Sequence, residues 1–168
     1  VTEFAQLRNP AYTRTDFFTN PAVIQDFRNF VGFVLNRTNS YTGVRYRDDR
    51  AILAWQLGNE LDSGGINTWM SATAAYIKSI DPNHLVMHPG INVDPATSIV
   101  NDPNIDIIDM HYTCTLGDPA SSCFREYTNK PFVLGEYRPE LLSNDSYLQE
   151  AVNRPGVAGT LVWAFLFH

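Results

Sequence analysis

The chain has 168 residues, a size that suits one domain, and 44% of them are apolar, which is enough to bury a hydrophobic core. Its formal net charge of −6 argues against a nucleic-acid partner and leaves neutral polymers such as polysaccharides open. No apolar run reaches the roughly 18 residues that a membrane span needs. The first residues lack the basic and apolar regions of a signal peptide, which a mature chain would also lack. We therefore expect neither a nucleic acid nor a membrane as a partner.

Two long helices and several shorter ones are predicted. Residues 1–19 show no regular pattern. A helix follows, with Asn20 as its N-cap and Pro21 at its first position, and its apolar residues recur every three to four positions as far as Arg37. A second helix has its apolar side between residues 69 and 80. Shorter helices or turns are expected near residues 94–102, 124–128 and 146–152.

Between and after these helices, five apolar runs predict β-strands, at residues 51–57, 84–88, 105–112, 132–135 and 159–165. Strands that alternate with helices imply a parallel sheet with right-handed crossovers. The first predicted helix has no strand before it and the last predicted strand has no helix after it, so both sheet edges would be bare, which soluble proteins avoid. A closed (β/α)8 barrel typically needs about 250 residues. We therefore expect an α/β fold that is a partial (β/α)8 TIM barrel of about five parallel strands with flanking helices. Strands one to three and the last helix would be absent, and residues 1–168 would be the C-terminal part of a larger barrel domain.

Two glutamates each stand at the end of an apolar strand. Glu60 follows the run that begins at Ala51, and Glu136 follows the run that begins at Phe132. Because all strands of a parallel α/β barrel end on the face that carries the active site, we expect both carboxylates at one mouth. Two carboxylates brought together from different strands are the groups that cleave a glycosidic bond. The alternatives are an exposed acid at a helix start for Glu60 and a surface acid at a strand end for Glu136.

The cysteines and the glycosylation motifs bear on the compartment. Residues 113–122 are rich in Gly, Asp, Pro and Ser, and Cys114 lies in this stretch while Cys123 directly follows it. This arrangement favours a disulfide that closes a short loop, and two unrelated thiols are the alternative. No second Cys/His pair has metal-ligand spacing, so we expect no metal and no cofactor. Sequons for N-glycosylation stand at Asn36 and Asn144. Together with the cysteine pair they predict a secreted, extracellular glycoprotein.

Several stretches of the chain resemble glycoside hydrolase family 5, in the clan of retaining (β/α)8 enzymes, and most of all its endo-β-1,4-mannanases. Residues 17–49 are similar to the helix and loop before the family's fourth strand, and the Asn59-Glu60 pair is similar to the end of that strand. Residues 133–137 are similar to strand seven, and Trp163 falls on strand eight. The likeness runs over most of the chain, and the two acidic motifs occur in the family's order.

The resemblance implies a retaining, endo-acting β-glycan hydrolase of the mannan endo-1,4-β-mannosidase type. It implies that Glu60 is the acid/base and Glu136 the nucleophile. It also implies that Asn59 hydrogen-bonds the sugar 2-hydroxyl and that Trp163 stacks under the sugar at the cleavage subsite, although simple packing is the alternative for Trp163. The partner would be a polysaccharide, β-mannan or β-glucan. The bare sheet edges add another chain, or the missing part of the same barrel, as a further partner.

The chain departs from the family pattern in three places. Strands one to three have no counterpart, so the substrate-binding groups that the family keeps there, an arginine among them, are not assigned. Leu61 follows the Asn-Glu pair where the family usually has Pro. Strand six usually carries a His and a Tyr two residues apart, whereas His111 and Tyr112 are neighbours, and neighbouring strand residues point to opposite faces. His111 is therefore a candidate for substrate binding, with a core or loop histidine as the alternative. Tyr112 reaches the nucleophile only if the strand end is twisted or bulged.

These departures also support a function of a different class. A hydrolase-like domain can serve as a carbohydrate-binding or structural part of an extracellular glycoprotein assembly, without cleaving its ligand. Glycan binding without product release would distinguish this alternative from the hydrolase.

Overall fold

The computed structural model describes residues 1–61, 64–90, 98–111, 130–137, 149 and 153–163. The chain divides into two compact units, one made of Val1–Leu57 and Asp62–Val86 and the other of Gly58–Leu61 and Met87–His168. Within the described ranges, no helix combines the length and the apolar character that a bilayer crossing requires.

The helices and strands alternate in the predicted order. The α-helices are α1 (Thr2–Gln6), α2 (Arg14–Thr19), α3 (Pro21–Asn36) and α4 (Ile66–Ile80). Short 3-10 turns span Tyr46–Asp48 and Ser98–Asn101. The strands are β1 (Ala54–Gln56), β2 (Leu85–Met87), β3 (Ile108–His111), β4 (Phe132–Tyr137) and β5 (Val157–Val162). Of the shorter helices or turns that we expected, the 3-10 turn Ser98–Asn101 lies within residues 94–102. Residues 94–97, residues 124–128, and residues 146–152 apart from 149, lie outside the described residues.

The first unit is held by aromatic packing between its helices. Phe17 and Phe18 of α2 are buried, and the ring of each lies 5.4 Å from the ring of Trp69 on α4. α3 is confirmed as predicted, because the Asn20 side chain accepts hydrogen bonds from the first backbone N–H groups of the helix, at 3.0 and 3.4 Å. α4 is likewise confirmed.

The expectation of no regular structure in residues 1–19 was wrong. α2 begins at a capping box, in which Asp16 Oδ2 accepts the backbone N–H of Thr13 at 2.7 Å. A helix of six residues is too short to show a 3.6-residue pattern, and the burial of its two phenylalanines stabilises it instead.

A buried ion pair supports the starts of β1 and β2 in the first unit. Asp81, which ends α4, is fully buried and accepts two hydrogen bonds at Oδ2, from the Trp55 indole and from His84 Nδ1, both at 2.6 Å. Its Oδ1 accepts the backbone N–H groups of Asn83 and His84 at 3.1 Å. His84 Nε2 donates to the carbonyl of Asp49 at 2.9 Å, so both ring nitrogens donate and the ring is suited to carry a positive charge. This network fixes Trp55 in β1 against the turn that leads into β2.

The second unit contains a parallel three-stranded sheet in the order β3-β4-β5. We expected Glu136 to follow a strand that ends at residue 135. β4 instead continues through Tyr137, so Glu136 lies inside the strand. The register between β3 and β4 shifts after the Met110–Leu134 pair, because the next pair is His111 with Glu136 and Gly135 is left over. This β-bulge places the second glutamate directly beside His111.

Candidate active site

Glu60 occupies a strained turn beyond the end of β1. It is the one non-glycine residue with positive φ, +48°, among those the structure describes. Its backbone N–H donates to the carbonyl of Pro89 at 2.7 Å, and both residues belong to the second unit. The left-handed region costs a non-glycine residue of this kind roughly 1–3 kcal/mol, and such strain concentrates at functional sites.

Leu61 anchors this turn. Its side chain is buried, and a Cβ added to Gly58 would lie 2.6 Å from Leu61 Cδ1. Gly58 also has a positive φ of +153°. Leu61, which stands where the resembled family usually has proline, therefore holds the Glu60 turn by packing against a backbone that has no side chain.

His111 lies between the two glutamates. Its Nδ1 is 3.0 Å from Glu60 Oε1 and 3.5 Å from Glu136 Oε1. The imidazole is 4% exposed, Glu136 is 13% exposed and Glu60 is 43% exposed. One carboxylate thus lies inside the site and the other lies towards solvent, with a buried ring shared between them.

The separation of the two carboxylates fits one class of glycoside chemistry. One oxygen of Glu60, one oxygen of Glu136 and one nitrogen of His111 all lie within 4.8 Å of one another. Retaining glycosidases hold their carboxyl groups about 5–5.5 Å apart, whereas inverting enzymes need about 6.5–9.5 Å. Because retaining chemistry itself requires this proximity, the spacing gives no separate argument for a bound metal ion.

The backbone of Gly90 covers the His111 ring. Gly90 has φ +75°, and a Cβ added to it would lie 2.3 Å from His111 Nε2. His88, two residues earlier, donates from Nδ1 to the carbonyl of Asp109 at 3.0 Å. Burial lowers the pKa of His88 to about 4, so His88 is neutral at neutral pH.

Of the remaining predicted site residues, the structure describes some and others fall outside the described ranges. Asn59 is exposed and directly precedes Glu60. Trp163 follows β5, is 58% exposed, and donates its backbone N–H to the carbonyl of Tyr137, next to Glu136, at 2.8 Å. Asn36 is exposed at the end of α3. Outside the described residues lie Tyr112, Cys114, Cys123 and Asn144.

The family of the chain follows from its sequence. A family model described as GH family 5 beta-mannosidase-like matches residues 4–112. The chain belongs to glycoside hydrolase family 5. It is 40% identical over 97 residues to putative mannan endo-1,4-beta-mannosidase 4 of Arabidopsis thaliana, a match covering 53% of this chain and 24% of that protein. It is 47% identical over 77 residues to mannan endo-1,4-beta-mannosidase 1 of Oryza sativa subsp. japonica, covering 42% of this chain and 18% of that one. The matched stretches thus span a quarter or less of these relatives.

Solved structures place the family-5 chain in the same fold as endo-mannanases. The endo-1,4-beta-mannanase from Rhizomucor miehei superposes with a TM-score of 0.70 at 25% identity, over 96% of this chain and 58% of that one. The hyperthermostable endo-1,4-beta-D-mannanase from Thermotoga petrophila gives a TM-score of 0.77 at 21% identity, over 96% and 59%, which supports the fold alone. The α/β fold with parallel strands and helices is thereby that of the TIM-barrel mannanases.

Two glycines of the site were not recognised in the sequence as functional. They are Gly90 and Gly135. Each leaves space for a neighbouring side chain, His111 for Gly90 and Asp109 for Gly135. A glycine inside or just after a predicted strand signals a bulge or a close approach, which is the signal that was available.

Proposed function

We propose that this family-5 chain carries the catalytic carboxylates of a retaining, endo-acting β-glycan hydrolase directed at mannan. The observation that carries the proposal is the approach of Glu60 and Glu136 to within 4.8 Å, with His111 between them. The names of the plant relatives and of the superposed structures supply the substrate class.

The geometry supports different roles for the two acids. Glu136, which lies inside the site, attacks the anomeric carbon as a carboxylate and forms a covalent glycosyl-enzyme, while the bond to the leaving oxygen breaks. Glu60, which is more open to solvent, donates its proton to that oxygen. Glu60 then removes a proton from the incoming water, which attacks the same carbon and releases Glu136. Two displacements at one carbon give overall retention.

Hydrolysis assays with matched variants test this function. We expect the full-length protein to release oligosaccharides from mannan and NMR to show that the first product keeps the β configuration. Glu136→Gln and Glu60→Gln should each reduce kcat by 10²-fold or more. Glu3→Gln, whose side chain is 90% exposed, is the control and should keep full activity. An inverted product would contradict the roles. Mannan binding without hydrolysis in the parent protein would favour the carbohydrate-binding alternative.

The partial-barrel arrangement also belongs to this proposal. We infer that the chain corresponds to the fourth to eighth strands of a (β/α)8 barrel, which is consistent with its matching 58% of the Rhizomucor mannanase. Phe33 on α3 is 62% exposed, and Leu53, just before β1, is 73% exposed. These surfaces suit coverage by the rest of the barrel. Sedimentation should show the 168 residues alone to self-associate, and a stable monomer would contradict this inference.

Secretion is proposed on separate grounds. The sequon at Asn36 lies at an exposed helix end, where a glycan can be accommodated. We expect protein recovered from the culture medium to lose mass on deglycosylation, and Asn36→Gln to reduce that loss. Retention inside the cell with no change in mass would contradict it.

A further inference from the structure

We propose that Asp109 is a positioning residue of this active site: its buried carboxylate fixes the His111 ring and the β4 bulge that together set Glu136 beside Glu60. The inference rests on the proposed function, but its structural part is testable without substrate. Asp109 lies in β3, two residues before His111, so both side chains emerge on the same face of the strand.

The carboxylate of Asp109 occupies the space beside Gly135. A Cβ added to Gly135 would lie 2.2 Å from Asp109 Oδ1, closer than any side chain can approach. Gly135 does not have a left-handed φ, so its backbone conformation permits alanine. The glycine is therefore required by the room that Asp109 takes. Gly135 is also the residue left over in the register between β3 and β4, so Asp109 packs against the bulge itself.

The same carboxylate determines the orientation of His111. Asp109 Oδ2 lies 3.3 Å from His111 Nε2, and the Asp109 side chain is 1% exposed. With Asp109 ionised, its carboxylate only accepts, so in this arrangement the ring donates from Nε2. Nδ1 is then the nitrogen shared with the catalytic glutamates, at 3.0 and 3.5 Å. The Gly90 backbone also closes in on the ring near Nε2, because a Cβ added to Gly90 would lie 2.3 Å from that atom.

Among the residues that the structure describes, Glu60, Glu136 and His88 are titratable neighbours of this pair. Glu60 and Glu136 face Nδ1 of His111, and His88 donates to the Asp109 carbonyl. Burial raises the pKa of Asp109, and the charge of His111 with its hydrogen bond opposes that rise. Loss of the carboxylate therefore changes both the position of the ring and the proton distribution around it.

A misplacement of about 1 Å at a reacting group costs roughly 10²-fold in rate. We therefore expect Asp109→Asn to lower kcat on mannan by 10- to 100-fold, with KM changed by less than about threefold, because Asp109 is too deeply buried to touch a glycan. The pH profile of kcat/KM should also shift. Asp26→Asn, at an exposed ion pair with Arg8, is the control and should keep the parent kcat.

Two measurements test the proposal independently of enzyme activity. In ¹⁵N NMR of the full-length protein, the His111 Nε2 resonance should be that of a protonated nitrogen, and Asp109→Asn should alter its tautomer or titration. In thermal unfolding, Gly135→Ala should lower Tm in the parent by several degrees but by less than 1 °C when added to Asp109→Ala, since the clashing carboxylate is then gone.

The outcomes separate the inference from the function. An unchanged His111 spectrum in Asp109→Asn, or an equal loss of Tm from Gly135→Ala in both backgrounds, would overturn the positioning role even in an active hydrolase. Conversely, a protein that cleaves no glycan but shows the spectral change and the coupling would retain the Asp109 arrangement while the proposed hydrolase fails.

Discussion

Removal of the Asp81 carboxylate should be one of the most destabilising single changes in the first unit. Asp81 is fully buried and accepts four hydrogen bonds, from Trp55, from His84 twice and from Asn83. Asp81→Ala leaves the Trp55 indole N–H and Nδ1 of the buried His84 without their acceptor, while His84 Nε2 keeps the Asp49 carbonyl. Each buried polar group left without a partner costs about 1–3 kcal/mol.

The total cost of Asp81→Ala can be compared with the cost that is typical of a broken buried ion pair. Breaking a buried ion pair by removing one partner typically costs about 3–5 kcal/mol, and we expect Asp81→Ala to fall in this range. Asp48 offers a matched control, since it also pairs with a basic residue three positions away, Arg45, at 2.8 Å. That pair is nearly half exposed, so Asp48→Ala should cost about 0–1 kcal/mol.

Urea denaturation of both variants at pH 6 measures the difference. The free energy of unfolding, extrapolated to water, should fall by at least about 3 kcal/mol in Asp81→Ala and by no more than about 1 kcal/mol in Asp48→Ala. Equal losses in the two variants would refute the reasoning, because burial would then make no difference to the value of the carboxylate.

Three further outcomes are expected. Burial alone would lower the pKa of His84 and raise that of Asp81, but their hydrogen bonds reverse both shifts. The contribution of His84 to stability is therefore complete below about pH 6.5 and is lost as pH rises through its raised folded pKa, whereas that of Asp81 is complete above about pH 4 and is lost as pH falls through its lowered folded pKa. Free energies of unfolding measured across pH for the parent and for His84→Gln check this, and a difference between the two that does not vary with pH contradicts it. Trp163→Ala should raise KM for mannan about tenfold while stability changes by less than about 0.5 kcal/mol; lost stability with unchanged KM would instead indicate packing. Phe18→Ala should cost about 3–5 kcal/mol in urea denaturation, and Tyr41→Ala, 98% exposed, almost nothing; similar costs would contradict the core assignment.

The longer elements were predictable because local sequence specifies them. Asn20 and Pro21 mark the start of α3, and the Asp81-Pro82 pair marks the end of α4. The short helices α1 and α2 were not predictable, because five or six residues carry no helical period and tertiary burial of Phe17 stabilises them.

The candidate site was predictable in its residue types but not in its geometry. The Asn-Glu and Gly-Glu motifs at strand ends indicated Glu60 and Glu136. The left-handed turn at Glu60 was not readable, since nothing in the residue itself favours that conformation. The bulge at Gly135 depends on a contact with Asp109, 26 positions earlier in the chain, and such register shifts arise only when strands pair.

Trapping the covalent intermediate tests the retaining mechanism most directly. The full-length protein would be incubated with a mannoside that carries fluorine at C2 and an activated leaving group, so that the second displacement is slow. Mass spectrometry of the digested protein should then find one sugar on the peptide that contains Glu136, and none in Glu136→Gln. A protein that hydrolyses mannan but is never labelled, or is labelled at Glu60, would contradict the assignment of Glu136 as nucleophile and Glu60 as acid/base.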